Sequence, residues 1–266
     1  MRREAEVALE VALEAATLVM GVYAAPFDVE FKAKDDPVTV ADKESNALIC
    51  HRLARAFPGI PVVAEESDPL AYAGFAASEA AWFVDPIDGT REFVARNGEF
   101  AVMIGLAEHG RATVGVIVAP AWGRAFVGVV GEGAWEVSPS GARTAIHVSS
   151  REAVAGATFL VSRWRSPDRV AGFVASLAGR PAVPHGSAGL KGVLVALGEA
   201  DVYVQPGRAG MRWDACATDA LVRAAGGELT ELDGAELDYR NGEIGNERGL
   251  LATNGKLHRA VVAAFR

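Results

Sequence analysis

Asp85 and Asp88 close an apolar run in the segment WFVDPIDGTREF, residues 82–93. Two carboxylates this near each other repel unless a positive charge stands between them. The chain carries more acids in similar settings. Asp42 stands at a helix start, Glu65 and Glu66 follow VVA, and Asp214 follows Trp213. Acids placed after short strands can converge at one edge of a sheet. Four or five of them carry more like charge than a site can hold without cations. Oxygen donors with no histidine or cysteine beside them select a hard ion, Mg²⁺ above all. Pro86 limits the turn, and Ile87 offers its backbone carbonyl as one more oxygen. Gly89-Thr90 supplies a turn whose N–H groups can receive a phosphate if a helix begins there. Two metals about 3.5–4 Å apart would bind one phosphate, activate a water and stabilise the leaving oxygen. The chemistry this predicts is phosphomonoester hydrolysis. Each piece alone has a plainer reading. Asp-Pro-x-Asp-Gly is an ordinary turn sequence, Glu-Glu-Ser a solvated strand end, and Asp214 a helix cap. It is the joint occurrence that points to a site.

The elements that must position these acids are legible in outline. Apolar residues at helical spacing (Val7, Val11, Leu13, Ala15, Leu18, Val19) predict a helix over about residues 3–22. Thr39, with Asp42 three residues on, predicts the start of a second helix, which Pro58-Gly59 stops. IPVVA and AAWFV read as short strands that end in the acids. AVMIGLAEHGRATVGVIVAP reads as a hairpin turning near His109-Gly110, and GRAFVGVVGEGAWEV as a further strand pair around Gly131 to Gly133. TFLVSR then reads as a strand, and Ser166 to Leu177 as a helix. GSAGLKGVLVALGEADVYV is a helix and a strand. RWDACATDALVRAAGGELTEL is a helix closed by Gly226-Gly227, then a strand. The pattern is α+β rather than regularly alternating βαβ. A soft boundary near residue 150 divides an N-terminal α+β part, 1–150, carrying most of the acids, from a C-terminal α/β part, 151–266, that completes the site. No internal repeat, Walker A loop or Rossmann glycine pattern is present.

The 266 residues suffice for one large domain or two modest ones. A formal charge of −8 with no basic stripe argues against a partner that is a nucleic-acid polymer. The two cysteines, Cys50 and Cys216, lie in no ligand spacing and read as free thiols. Glutamates interrupt the apolar N-terminal run, so it reads as an amphipathic helix, not a targeting segment. No run is long enough to span a membrane. Cytoplasmic location follows as the default, and either a monomer or a homodimer fits.

DPIDGT, with the upstream EES and the downstream WD, resembles the signature of the inositol monophosphatase-like superfamily of Mg²⁺-dependent, lithium-sensitive phosphatases. The resemblance runs from DDPVTVAD (35–42) to WDACATDALVRAAGGELTELDG (213–234). It implies a layered αβαβα sandwich of the inositol monophosphatase/fructose bisphosphatase type. It implies two or three Mg²⁺ ions held by Glu65, Asp85, the carbonyl of Ile87, Asp88 and Asp214. Thr90 paired with Asp42 would orient and deprotonate the attacking water, with Glu65 helping through its metal. Asp88, Gly89, Thr90 and Asp214 would hold the phosphorylated substrate. The text GTREFVARNGEF and the segment GSAGLK (186–191) look like those of bacterial 3′(2′),5′-bisphosphate nucleotidases of the CysQ type. The implied substrate is adenosine 3′,5′-bisphosphate, a by-product of sulfate assimilation, cut to AMP and phosphate.

A second phosphate needs cations or N–H donors away from the metals. Ser187 and Lys191, one helical turn apart, are the candidates, with Arg163 and Arg165 behind them. Lys34 is notable because lysines are few. The histidines read as surface or packing residues, His185 being the one nearest a motif. The tryptophans read mainly as core or rim, Trp122 and Trp164 being able to stack a base. Three readings stay open: the bisphosphate nucleotidase; the same chemistry on inositol monophosphate, histidinol phosphate or fructose 1,6-bisphosphate; and a non-catalytic domain that binds a divalent ion for stability.

Overall fold

The first helix, α1 (Arg3–Tyr23), buries Ala5, Ala8, Leu9, Ala12, Ala15, Ala16 and Val19 along one stripe. Small residues dominate that stripe, so the helix lies close to what it covers. The computed structural model describes residues 1–164, 167–178 and 180–265. A two-stranded hairpin, β1 (Val29–Ala33) and β2 (Asp36–Thr39), leads into α2 (Val40–Ala56). The main-chain N–H of Thr39 donates to Asp42 Oδ2 at 2.7 Å, which fixes the start of α2 where the sequence predicts it.

The larger sheet has seven strands in chain order: β3 (Val62–Ala64), β4 (Ala80–Asp88), β5 (Ala101–Glu108), β6 (Arg111–Ala119), β7 (Arg124–Val129), β8 (Gly133–Val137) and β9 (Arg143–Ala145). Only β3 and β4 are parallel. A short helix, α3 (Thr90–Val94), leaves the end of β4. The smaller sheet is built from β10 (Phe159–Ser162), β11 (Val183–His185), β12 (Val202–Gln205), β13 (Glu228–Thr230) and β14 (Leu250–Thr253), in the order β11-β10-β12-β14-β13. Its helices are α4 (Pro167–Ser176), α5 (Ala188–Ala196), α6 (Arg212–Ala224) and α7 (His258–Phe265). The helix expected from Ser166 is α4; Ser166 and Arg165 lie outside the described residues. The hairpin β1–β2, the strand β14 and the helix α7 were not anticipated by periodicity.

Four apolar clusters stack these elements in order. α1 and α2 cover one face of the larger sheet, through Ala12, Val19, Ile49, Val84, Val102 and Ile104. α5 and α6 cover its other face, through Met103, Ile117, Phe126, Leu190 and Leu221. α6 also meets the smaller sheet, through Ala220, Val222, Tyr203, Leu229 and Ala252. α4 and α7 close the far side, through Val170, Val174, Val202, Val204, Leu251 and Val261. The sequence of layers is αβαβα, as the resemblance implies.

The middle layer sits unusually low on the larger sheet. Gly105, Gly115 and Gly128 are register partners on three adjacent strands. A methyl carbon built at Gly105 would stand 2.6 Å from Ala217 N, and one at Gly128 would stand 2.5 Å from Leu221 Cα. At Gly115 it would collide with the carbonyl of Ala217. Backbone therefore rests on backbone along α6, and only glycine permits it. Among the described residues, no helix is long and apolar enough to cross a membrane.

Candidate active site

Asp85 and Asp88 lie three residues apart on β4, a spacing that sends side chains to opposite faces of a regular strand. The pairing of β4 with β5 slips between Asp85 and Asp88. That irregularity, over Pro86-Ile87, re-aims the second acid toward the first. Asp214 joins them from the first turn of α6, where its Oδ2 accepts the main-chain N–H of Met211 at 2.6 Å. It is a helix cap and a member of the acid cluster at once. One oxygen from each of Asp85, Asp88 and Asp214 lies within 4.8 Å of the others.

Glu65 comes from the turn after β3. Its carboxyl lies within hydrogen-bonding reach of Asp85. Burial, then the charges of Glu65, Asp88 and Asp214, push the Asp85 carboxyl well above the usual aspartate range. Burial likewise raises Glu65, to about 7, against the opposing pull of Lys32. Carboxylates buried face to face in this way are an incomplete set, and hard cations complete it. The donors are all oxygens, which fits magnesium-type ions.

Lys32 is the cation the sequence reading missed. Its Nζ stands 2.8 Å from Glu65 Oε1 and 2.6 Å from Glu66 Oε1. Lys34, another of the few lysines, lines the same cavity from the turn that follows β1. The strand β1 is exposed along nearly its whole length, so no apolar alternation marks it.

Thr90 opens α3 directly after Gly89, whose φ of +97° glycine alone adopts without strain. A side chain at Gly89 would also stand 2.9 Å from the carbonyl of Glu99. Thr90 Oγ1 donates to Asp42 Oδ1 at 3.0 Å and approaches the Ile87 carbonyl at 3.2 Å. The other oxygen of Asp42 is taken by Thr39, through its main-chain N–H at 2.7 Å and its hydroxyl at 2.6 Å. Burial raises Asp42, partly opposed by these hydrogen bonds. A raised carboxylate is a better base, and it is aimed at one hydroxyl.

Asp88 is held from the far side. Its Oδ2 accepts the hydroxyl of Ser187 and the main-chain N–H of Gly189, the latter at 2.6 Å. Ser187, at φ +53°, is held in a strained conformation at the start of α5. Lys191 is buried, and its ammonium donates to the carbonyls of Gly186 at 3.2 Å and Ser187 at 2.5 Å. Both residues line the cavity, yet each is engaged in holding the 186–189 loop against Asp88. Arg163 grips Glu92 and Glu99, at 2.7 and 2.9 Å. His185 turns its ring to Trp122, 6.0 Å away. Glu92, buried, and Glu99, partly exposed, brace Arg163 and the 186–189 loop, a structural role that their motif does not reveal.

Glu65, Asp88, Asp214, Thr90 and residues 186–188 line one cavity of about 960 Å³, at the upper end of the range for small-molecule sites. Lys32, Lys34, Arg91 and Arg208 also line it.

A profile of the inositol monophosphatase family matches residues 1–266. The chain is 35% identical over 232 residues to the 3′(2′),5′-bisphosphate nucleotidase CysQ of Escherichia coli O157:H7, covering 86% of this chain and 91% of that one. It is 34% identical over 242 residues to the histidinol-phosphatase of Mycobacterium tuberculosis, covering 88% and 87%. The solved structure of CysQ from Bacteroides thetaiotaomicron superposes with a TM-score of 0.77 at 28% identity, over 95% of this chain and 97% of that one. With a family match over its whole length and an acid cluster at the foot of a ligand-sized cavity, the chain belongs to the inositol monophosphatase family and is a phosphoric monoester hydrolase.

Proposed function

We propose that this protein hydrolyses the 3′-phosphate of adenosine 3′,5′-bisphosphate, giving AMP and phosphate, with Mg²⁺ as its metal. The observation that carries the reading is the meeting of Asp85, Asp88 and Asp214 within 4.8 Å, beside the Thr90–Asp42 pair. The similarity to the bisphosphate nucleotidase CysQ supports the substrate.

Glu65, Asp85, the Ile87 carbonyl, Asp88 and Asp214 are the residues that would hold two or three ions. Bound there, the ions supply Lewis-acid polarisation of the phosphoryl group and lower the pKa of water. The chain's own residues do the rest. A water donating to Thr90 Oγ1 loses its proton as the hydroxyl passes its own to Asp42 Oδ1. The main-chain N–H groups of Gly89 and Thr90, at the start of α3, would receive the phosphoryl oxygens, and Asp88 would align that group. Ser187 and Lys191 serve the second phosphate by fixing the 186–189 loop at the cavity wall. The leaving 3′-oxygen departs toward the open cavity and takes its proton from solvent.

Phosphate release from adenosine 3′,5′-bisphosphate, measured against inositol 1-phosphate, histidinol phosphate and fructose 1,6-bisphosphate in Mg²⁺, tests the reading. The nucleotide is expected to have the highest kcat/KM. Faster turnover of histidinol phosphate, the substrate named for the mycobacterial relative, would replace the substrate and leave the chemistry standing.

A further inference from the structure

We propose that Trp164 is the platform on which the base of the substrate stacks, and that it makes the cavity prefer a nucleotide to a base-free ester. The inference deepens the nucleotidase reading and rests on it.

Trp164 lies just beyond β10 and lines the same cavity as Asp88, Thr90 and Asp214. It is 53% exposed. A single exposed aromatic is unremarkable by itself. This one differs because its orientation is fixed from beneath. The indole Nε1 donates to Glu92 Oε1 at 3.0 Å. Glu92 is 1% exposed, and its carboxylate also accepts from Arg163 at 2.7 Å and from the Asn97 amide. Arg163 in turn holds Glu99 at 2.9 Å, and Glu99 Oε2 accepts the main-chain N–H of Gly186 at 2.6 Å. Four charged or polar side chains and the wall of the 186–189 loop thus pin an indole that stays half exposed.

The anchor and the chemistry share one element. Glu92 and Thr90 are two residues apart on α3, so the distance between the hydrolysed phosphate and the indole is set by a single helix. Arg91, between them, lays its guanidinium over one face of the Trp164 ring, 5.8 Å from its centre. A base would stack on the face opposite Arg91, with the indole between base and cation. Trp122, the other candidate, is partly buried in the core cluster of α5 and α6 and meets His185. An aromatic held rigid before binding loses little entropy when the base arrives.

Stacking on an aromatic side chain contributes about 1–3 kcal/mol per base, or roughly 5- to 150-fold in affinity. The base is remote from the reacting phosphate, so the gain belongs in KM rather than kcat. The experiment compares wild type, Trp164→Ala and Trp164→Phe on adenosine 3′,5′-bisphosphate and on the same sugar bisphosphate without a base. AMP binding is followed in parallel by calorimetry. Wild type is expected to favour the nucleotide through KM. Trp164→Ala should raise KM for the nucleotide about tenfold or more, far more than for the abasic ester, and weaken AMP binding equally. Trp164→Phe, which keeps a π-face, should recover most of the loss. If Trp164→Ala keeps the wild-type nucleotide preference, or loses both esters alike, the platform is refuted. If wild type itself shows no preference for the nucleotide, the nucleotidase reading fails, and the inference with it.

Discussion

Thr90 and Asp42 should act as one unit, and a double-mutant cycle can read that directly. Thr90→Ala removes the hydroxyl that donates to Asp42 Oδ1, while Thr39 continues to hold Oδ2. The metal acids are untouched. The attacking water then has a base it cannot reach through a hydrogen bond. Loss of such help costs about 10²–10⁴-fold in kcat, a barrier increase of about 2.7–5.4 kcal/mol. Asp42→Asn leaves Thr90 without a proton acceptor and should cost a similar factor. Because each single change breaks the same relay, the double variant should lose little more than either one, where independent roles would multiply. Thr90→Ser, which restores the hydroxyl, should stay within about fivefold of wild type. The assay is initial-rate phosphate release at saturating substrate and Mg²⁺, with metal affinity measured separately by calorimetry. Thr90→Ala turnover within threefold of wild type, or losses that multiply in the double variant, would refute the relay.

Three further outcomes are expected. Asp88→Asn should abolish activity and weaken metal binding, since it removes a charged oxygen from the cluster of three; calorimetry showing full affinity would exclude Asp88 as a ligand. The Glu65 carboxyl, raised from 4.5 to about 7, keeps its proton in the folded chain where the unfolded chain has lost it. In metal-free protein the Glu65 contribution to stability should therefore be full below about pH 4.5 and be lost as pH rises toward 7, while Mg²⁺ affinity climbs over the same window; a thermal-melt series of wild type against Glu65→Gln, with and without Mg²⁺, checks both slopes. Lithium at millimolar-scale concentration should inhibit turnover in the phosphate-release assay, as the family resemblance implies, and insensitivity would separate this site's geometry from that of its relatives.

The acids were legible because they recur together: one carboxylate that ends an apolar strand has an ordinary reading as a turn or a solvated strand end, and the set of them does not. Helix α2 was legible because Thr39 and Asp42 form a local start signal that needs no tertiary information. What stayed hidden depends on distant contacts. Lys32 sits on an exposed hairpin with no periodic pattern, and its importance appears only when Glu65 and Glu66 arrive from β3. The slip in β4 that turns Asp88 toward Asp85 is set by pairing with β5. Ser187 and Lys191 were legible as a motif, but their partners (Asp88 and the loop carbonyls) come from packing. Gly105, Gly115 and Gly128 read in isolation as weak points in strands. An isolated strand glycine does signal close backbone approach, but the row they form exists only once the register is known.

That row has a consequence for ion choice. Where α6 crosses the glycine row its backbone rests directly on the strands, which leaves Asp214 at its start little slack to drift outward. Gly115→Ala should wedge the helix upward, lowering stability by about 2–3 kcal/mol and blunting metal affinity together. In the unaltered chain the same stiffness penalises size. Calcium wants six to eight oxygens at about 2.3–2.6 Å, and magnesium about 2.0–2.1 Å with strict octahedral order. A cradle with an unyielding floor should admit the larger ion only in a distorted pose, occupied and yet idle.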